Sequence, residues 1–269
     1  MRVRGAVVAL ALTLVVAAPA ASQAPDLSPG ISPPGANDWS CHPSAAHPYP
    51  VVLVHGTFGD MTVSWNLISP KLKADGYCVF ALDYGDRATG PIEESAAQLR
   101  DFVIRVLAAT GAKRVSLVGH SQGGMMPRYY IKFLGGAGKV DDLIGLAPSN
   151  HGTSNPGALL LNGVGVCYSC GQQATGSAFL TNLNAGDETP GDVSYTVVET
   201  RYDEVVIPYT SAFLSGANTT NVRLQDRCPL DVAEHLSIIY DPVALRWVEN
   251  ALARTGPADP GFRPSCLPT

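Results

Sequence analysis

The chain has 269 residues, a formal net charge of −5 and only 15% charged residues. No basic run occurs beyond its first residues, which argues against a nucleic-acid partner and leaves uncharged substrates open. Met1–Ala24 has the anatomy of a secretory signal peptide: Arg2 and Arg4 are followed by an uncharged apolar run, Ala6–Ala18, and by small residues at Ala18-Pro19-Ala20. That run is short for a membrane span of about 20 residues, and no later segment is longer and as apolar. Roughly 245 residues remain, enough for one large domain. The expected product is a secreted, extracellular monomer.

Pro25–Pro50 is rich in Pro, Ser, Gly and Ala and reads as an extended N-terminal arm without a core of its own. From residue 51 to 269 a single domain is expected. Val51–Val54 suits a buried strand and ends at His55-Gly56. Trp65–Ala74 has helical character, stopped by Gly76. Cys78–Leu82 is the next strand candidate. Ile92–Ala109 carries apolar residues at helical spacing between Pro91 and Gly111. Val115–Val118 is strand-like and Met125–Leu134 helix-like. Leu143–Leu146, Val193–Thr200 and Thr220–Leu224 are further strands, and Asp241–Arg254 is a closing helix. Strands alternating with helices predict an α/β fold, with a mostly parallel sheet covered on both faces.

Six cysteines follow the leader: Cys41, Cys78, Cys167, Cys170, Cys228 and Cys266. In an exported chain an even count points to disulfides. Six cysteines allow 15 pairings; linking neighbours along the chain gives Cys41–Cys78, Cys167–Cys170 and Cys228–Cys266. Cys167-Tyr-Ser-Cys170 also fits a redox or zinc pattern.

Gly119-His120-Ser121-Gln122-Gly123 matches G-x-S-x-G between a strand and a helix, the context of a nucleophile elbow. Ser121 is the candidate nucleophile. It requires a base, itself oriented by a carboxylate. Among the histidines, His235 lies in a loop beyond the last strand and is the candidate base. His120 adjoins the serine and is expected to support the turn, and His151 to be structural. Asp203, directly after the Val193–Thr200 strand, is the candidate acid; Glu204, Asp187, Asp192, Asp226 and Asp231 compete with it. Developing negative charge on the substrate oxygen calls for two backbone N–H donors. Gln122, after the nucleophile, and Thr57, in Val54-His55-Gly56-Thr57-Phe58-Gly59, are the candidates.

Taken together, VHGTFG (Val54–Gly59), GHSQGG (Gly119–Gly124), LAPSNHGT (Leu146–Thr153), TRYDEVV (Thr200–Val206) and EHL (Glu234–Leu236) resemble the bacterial secreted triacylglycerol lipases called class 2. The resemblance implies an α/β-hydrolase fold, the same catalytic residues Ser121, Asp203 and His235, and the same oxyanion donors, Thr57 and Gln122. It also implies hydrolysis of carboxylic esters, including acylglycerols at a lipid–water interface. A short-chain esterase, a polyester hydrolase and an acyltransferase share that chemistry. Some related lipases hold calcium near the histidine with paired aspartates. Asp226 and Asp231 lie in a suitable region, but their spacing is not diagnostic, and neither a metal nor a cofactor is expected. Asn155–Asp192, with Leu159, Leu160, Leu161, Val164, Val166, Phe179 and Leu180, is a candidate acyl pocket or lid; Phe213 and Leu214 are candidate neighbours.

Overall fold

The apolar runs form six strands: β1 (Val51–Val54), β2 (Val79–Leu82), β3 (Val115–His120), β4 (Val140–Leu146), β5 (Ser194–Glu199) and β6 (Thr219–Arg223). The computed structural model describes residues 30–267, so the signal peptide expected over residues 1–24 lies outside the described residues. The strands stand in the order β2-β1-β3-β4-β5-β6, and every pairing is parallel. Alternate side chains divide between two cores. Val52, Val54, Leu117 and Val197 face one; Leu53, Val118, Ile144 and Val198 face the other. Burial on both faces explains why these strands read as continuous apolar runs rather than as alternating ones.

The helices are α1 (Met61–Trp65), α2 (Ile68–Ala74), α3 (Gly85–Ala88), α4 (Ile92–Thr110), α5 (Gln122–Phe133), α6 (Pro156–Gly163), α7 (Tyr168–Gln172), α8 (Ala178–Asn184) and α9 (Pro242–Leu252). Of these, α3 is a single turn with positive φ at Asp86 and Arg87. The helix expected over Trp65–Ala74 is α2, which starts three residues later, and the short α1 before it was not expected. Pro70 has no N–H to give to the helix, so the chain re-enters helix at Ile68, which puts Pro70 in a first turn that needs none. α5 begins three residues before its expected start. Its leading glycines read as helix breakers, but packing against β1 and the loop after β4 requires them there.

The N-terminal arm lies along the outer edge of the sheet. The Asn37 backbone donates to the Val79 carbonyl at 2.9 Å, and its side-chain amide clasps both the N–H and the C=O of Ala81. This covers β2, which would otherwise present open backbone groups. Disulfides join Cys41 to Cys78, Cys167 to Cys170 and Cys228 to Cys266. The first fastens the arm to the start of β2, and the third fastens the segment before His235 to the C-terminal segment. Among the described residues, no helix is long and apolar enough to cross a membrane.

The Cys41–Cys78 bridge spans 37 residues of sequence. Replacing both cysteines with serine should lower unfolding stability by about 2–4 kcal/mol. Urea unfolding of the full chain measures this; an unchanged midpoint would mean that the arm is held by its hydrogen bonds alone.

Candidate active site

Ser121 stands between β3 and α5 with φ 55° and ψ −123°, a conformation that costs a non-glycine residue strain. Close approach on either side makes so sharp a turn possible. A Cβ on Gly119 would lie 1.8 Å from the Gly123 carbonyl oxygen, and one on Gly123 would lie 2.1 Å from the Val54 oxygen. Only hydrogen fits at either position. The Ser121 N–H is donated to the Leu146 carbonyl at 2.9 Å, which ties the turn to β4. The serine is 7% exposed.

Two separate loops bring His235 and Asp203 together. His235 Nδ1 donates to Asp203 Oδ2 at 2.8 Å. Asp203 Oδ1 accepts the N–H groups of Val205 and Val206 at 2.8 and 2.7 Å. These donors stabilise the carboxylate and leave His235 Nε2 as the ring's acceptor. The imidazole is nearly sealed, and the Asp203 side chain fully so.

His120 supports this loop from behind. Its Nε2–H donates to the His235 carbonyl at 2.8 Å, and the two rings lie 4.9 Å apart. Burial, reinforced by the neighbouring His235, pushes His120 down to about 3, so it is a neutral donor. His55 is buried beside it, stacked on Tyr84, whose hydroxyl donates to the His55 carbonyl at 2.6 Å. Desolvation lowers its pKa as well, so its 3.7 Å approach to Asp83 is a contact of a neutral ring rather than an ion pair.

The loop after β1 carries Thr57. Phe58 N–H is taken by the Arg87 carbonyl and Gly59 N–H by the Gly56 carbonyl, while Thr57 N–H has no acceptor among the described residues. Gln122 is the first residue of α5, where an N–H has no intrahelical partner. The two side chains are coupled: Thr57 Oγ1 donates to Gln122 Oε1 at 2.8 Å. Gln173, just after α7, completes the group. Its Nε2 donates to Gln122 Oε1 at 2.8 Å and to Thr57 Oγ1 at 3.1 Å, and its Oε1 accepts from Ser149 at 2.8 Å. No sequence motif marks Gln173, which lies between α7 and α8 and reaches its partners only through the fold.

The remaining candidates lie elsewhere. His151 bonds the Ser211 carbonyl at 2.9 Å and faces Glu188 at 3.3 Å. Asp187 accepts the Thr189 N–H, Asp226 pairs with Arg223, and Asp231 accepts the Ala233 N–H. Glu204 lies beside the site, with Oε2 3.4 Å from the His235 N–H, while Asp192 is exposed. Leu214 is part of the core, and Phe213 packs against it.

The sequence profile of the class 2 lipase family matches residues 48–248. A triacylglycerol lipase of Pseudarthrobacter phenanthrenivorans is 40% identical over 91 residues, 32% of this chain and 28% of the relative. One from Burkholderia plantarii is likewise 40% identical over 91 residues, 32% of this chain and 25% of the relative. The matched segments thus cover little more than a quarter of those relatives. In structure the chain is similar to Aspergillus fumigatus lipase B, with a TM-score of 0.71 at 23% identity, over 89% of this chain and 64% of that one. It is also similar to Bacillus licheniformis lipase BlEst2 in mature form, with a TM-score of 0.58 at 18% identity, over 74% and 89% of the two chains. At these identities the structural likeness is one of fold: a parallel sheet with helices around it, as in other α/β hydrolases.

His120 carries a depressed pKa, so the unfolded chain binds one more proton than the folded one between about pH 6.5 and its value of about 3. Its contribution to stability is therefore complete above pH 6.5 and declines as pH falls through that window. In urea titrations, His120→Gln should flatten the acid-side slope of stability by up to about 1.4 kcal/mol per pH unit. An unaltered slope would mean that His120 is charged in the folded protein.

Proposed function

The chain belongs to the class 2 lipase family, and from that premise we propose that it hydrolyses carboxylic esters, triacylglycerols above all, through an acyl-enzyme on Ser121. The observation that carries this reading is the 2.8 Å His235–Asp203 hydrogen bond set behind a strained serine turn. The Ser121 hydroxyl attacks the ester carbonyl while His235 Nε2 takes its proton. Asp203 holds the opposite ring nitrogen as N–H and stabilises the imidazolium without being protonated. The negative charge formed on the carbonyl oxygen is received by the Thr57 and Gln122 N–H groups. His235 then returns its proton to the departing alcohol, and a water molecule repeats the sequence to free the acid.

The surroundings favour an apolar acyl chain. Leu160 is 67% exposed, and Val164, Val166 and Tyr168 are exposed with it on the insertion that carries Gln173. Phe58, Tyr202 and Leu236 are exposed beside the oxyanion loop, the acid and the base. Exposed apolar side chains on the insertion and next in sequence to the site residues fit contact with lipid better than with water. Secretion is part of the same proposal, supported by the leader at residues 1–24 and by three disulfides, which persist in oxidising compartments.

Hydrolysis of p-nitrophenyl esters of increasing acyl length, for wild type beside Ser121→Ala, tests this. Activity should rise toward long chains and fall by at least about 10⁴-fold in the variant. Activity confined to short chains would make the protein an esterase or polyester hydrolase on the same triad. Equal rates in the two proteins would remove Ser121 from the reaction.

A further inference from the structure

A second acid stands behind the triad, and its role rests on the triad reading above. Glu199 is the last residue of β5, 0% exposed. Its Oε1 accepts the Thr200 N–H at 2.7 Å, while its Oε2 is sealed from solvent with no donor facing it among the described residues. Asp203, four residues on in the loop after β5, acts on this carboxyl group through its charge and its side chain.

Two carboxyl groups so placed away from water do not both ionise, because like charges in a poorly screened site repel strongly. The distribution of donors decides which one keeps the proton. Three N–H groups, from Val205, Val206 and His235, converge on Asp203, against one on Glu199. The charge is therefore better solvated on Asp203. Burial and the Asp203 charge both push the Glu199 carboxyl well above the usual carboxylate range. Nearby cations do not oppose this. Arg223 is register partner to Glu199 in β6, but its guanidinium is committed to Asp226 and Tyr209. His120 is neutral, and His235 gives its Nδ1–H to Asp203.

We propose that Glu199 is a positioning residue that stays protonated and donates its Oε2–H to Asp203. This hydrogen bond fixes the carboxylate behind His235. It also draws on the same negative charge that stabilises the imidazolium, and so keeps His235 a weaker base than a bare Asp203 would make it. The proton remains on Glu199 throughout turnover.

The test compares the full-length wild type with Glu199→Gln and Glu199→Leu. Glutamine is the neutral isostere of the protonated acid, and its amide can donate to Asp203. Glu199→Gln should keep kcat/KM within about twofold and leave the acidic limb of its pH profile in place. Glu199→Leu removes the donor; kcat/KM should fall about tenfold, and the acidic limb should move to higher pH as Asp203 stabilises the imidazolium more strongly. An infrared difference spectrum of wild type against Glu199→Gln at neutral pH should contain the C=O stretch of a protonated carboxylic acid. Absence of that band, or an acidic limb displaced to lower pH in Glu199→Gln, would mean that Glu199 is ionised and would overturn the proposal. If the leucine variant fails to fold, the glutamine variant and the infrared band still decide. The spectrum requires no turnover, so it reads the proton on Glu199 even if Ser121→Ala retains activity and the triad reading falls.

Discussion

The backbone turn at Ser121 is the constraint from which the rest of the site follows. A parallel strand and a helix meet there with one residue between them, and the serine is left with φ 55° and ψ −123°. Such strain persists only where the surroundings overdetermine it. Here β1 passes against Gly123, and the Ser121 N–H is held by the end of β4. The consequence is positional: the side chain leaves the sheet at its carboxyl edge, the N-terminus of α5 opens beside it, the loop after β1 passes against it at Gly56, and the loop after β6 is tied to the neighbouring His120 through His235.

Those loops are ordered by backbone hydrogen bonds more than by contacts between side chains. Asp203 is held by two N–H groups of its own loop and His235 by its carbonyl, which a neutral His120 reaches from the position before Ser121. The same economy appears in the insertion. Arg128, buried in α5 with its pKa lowered to about 10 by desolvation, remains a cation and donates to the Glu188 and Asn150 carbonyls and to the Asn184 side chain. One buried cation thereby holds both ends of the segment that carries α6, α7 and α8, and Gln173, on that segment, meets Thr57 and Gln122. The proposed reaction would need such support, because a displacement of about an ångström in the reacting groups can cost on the order of a hundredfold in rate.

The six strands and the serine turn were legible in the sequence because each is a local consequence of residue type. Val51–Val54 and Val115–Val118 are apolar without alternation, as a strand buried on both faces must be, and G-x-S-x-G marks a turn that only glycines allow. Two of the departures have causes that can be named. Gly123 and Gly124 conceal the first turn of α5 because glycine disfavours helices in isolation. Pro70 sits in the first turn of α2, so that helix starts at Ile68 rather than at Trp65.

What the sequence determined by itself was therefore the six strands, their parallel arrangement and the residue types, in workable chain order, that the proposed reaction calls on. Only the tertiary structure decided which polar groups meet. Glu199 and Asp203 are four residues apart, yet nothing in that spacing says that one carboxyl group has a single donor while the other has three. Gln173 carries no motif, and His120 is only the variable residue of one; their partners lie 51 and 115 residues away in sequence. Periodicity and turn chemistry are properties of a few consecutive residues. The protonation state of a buried acid and the aim of a buried amide depend instead on solvation by groups that only the folded chain brings together.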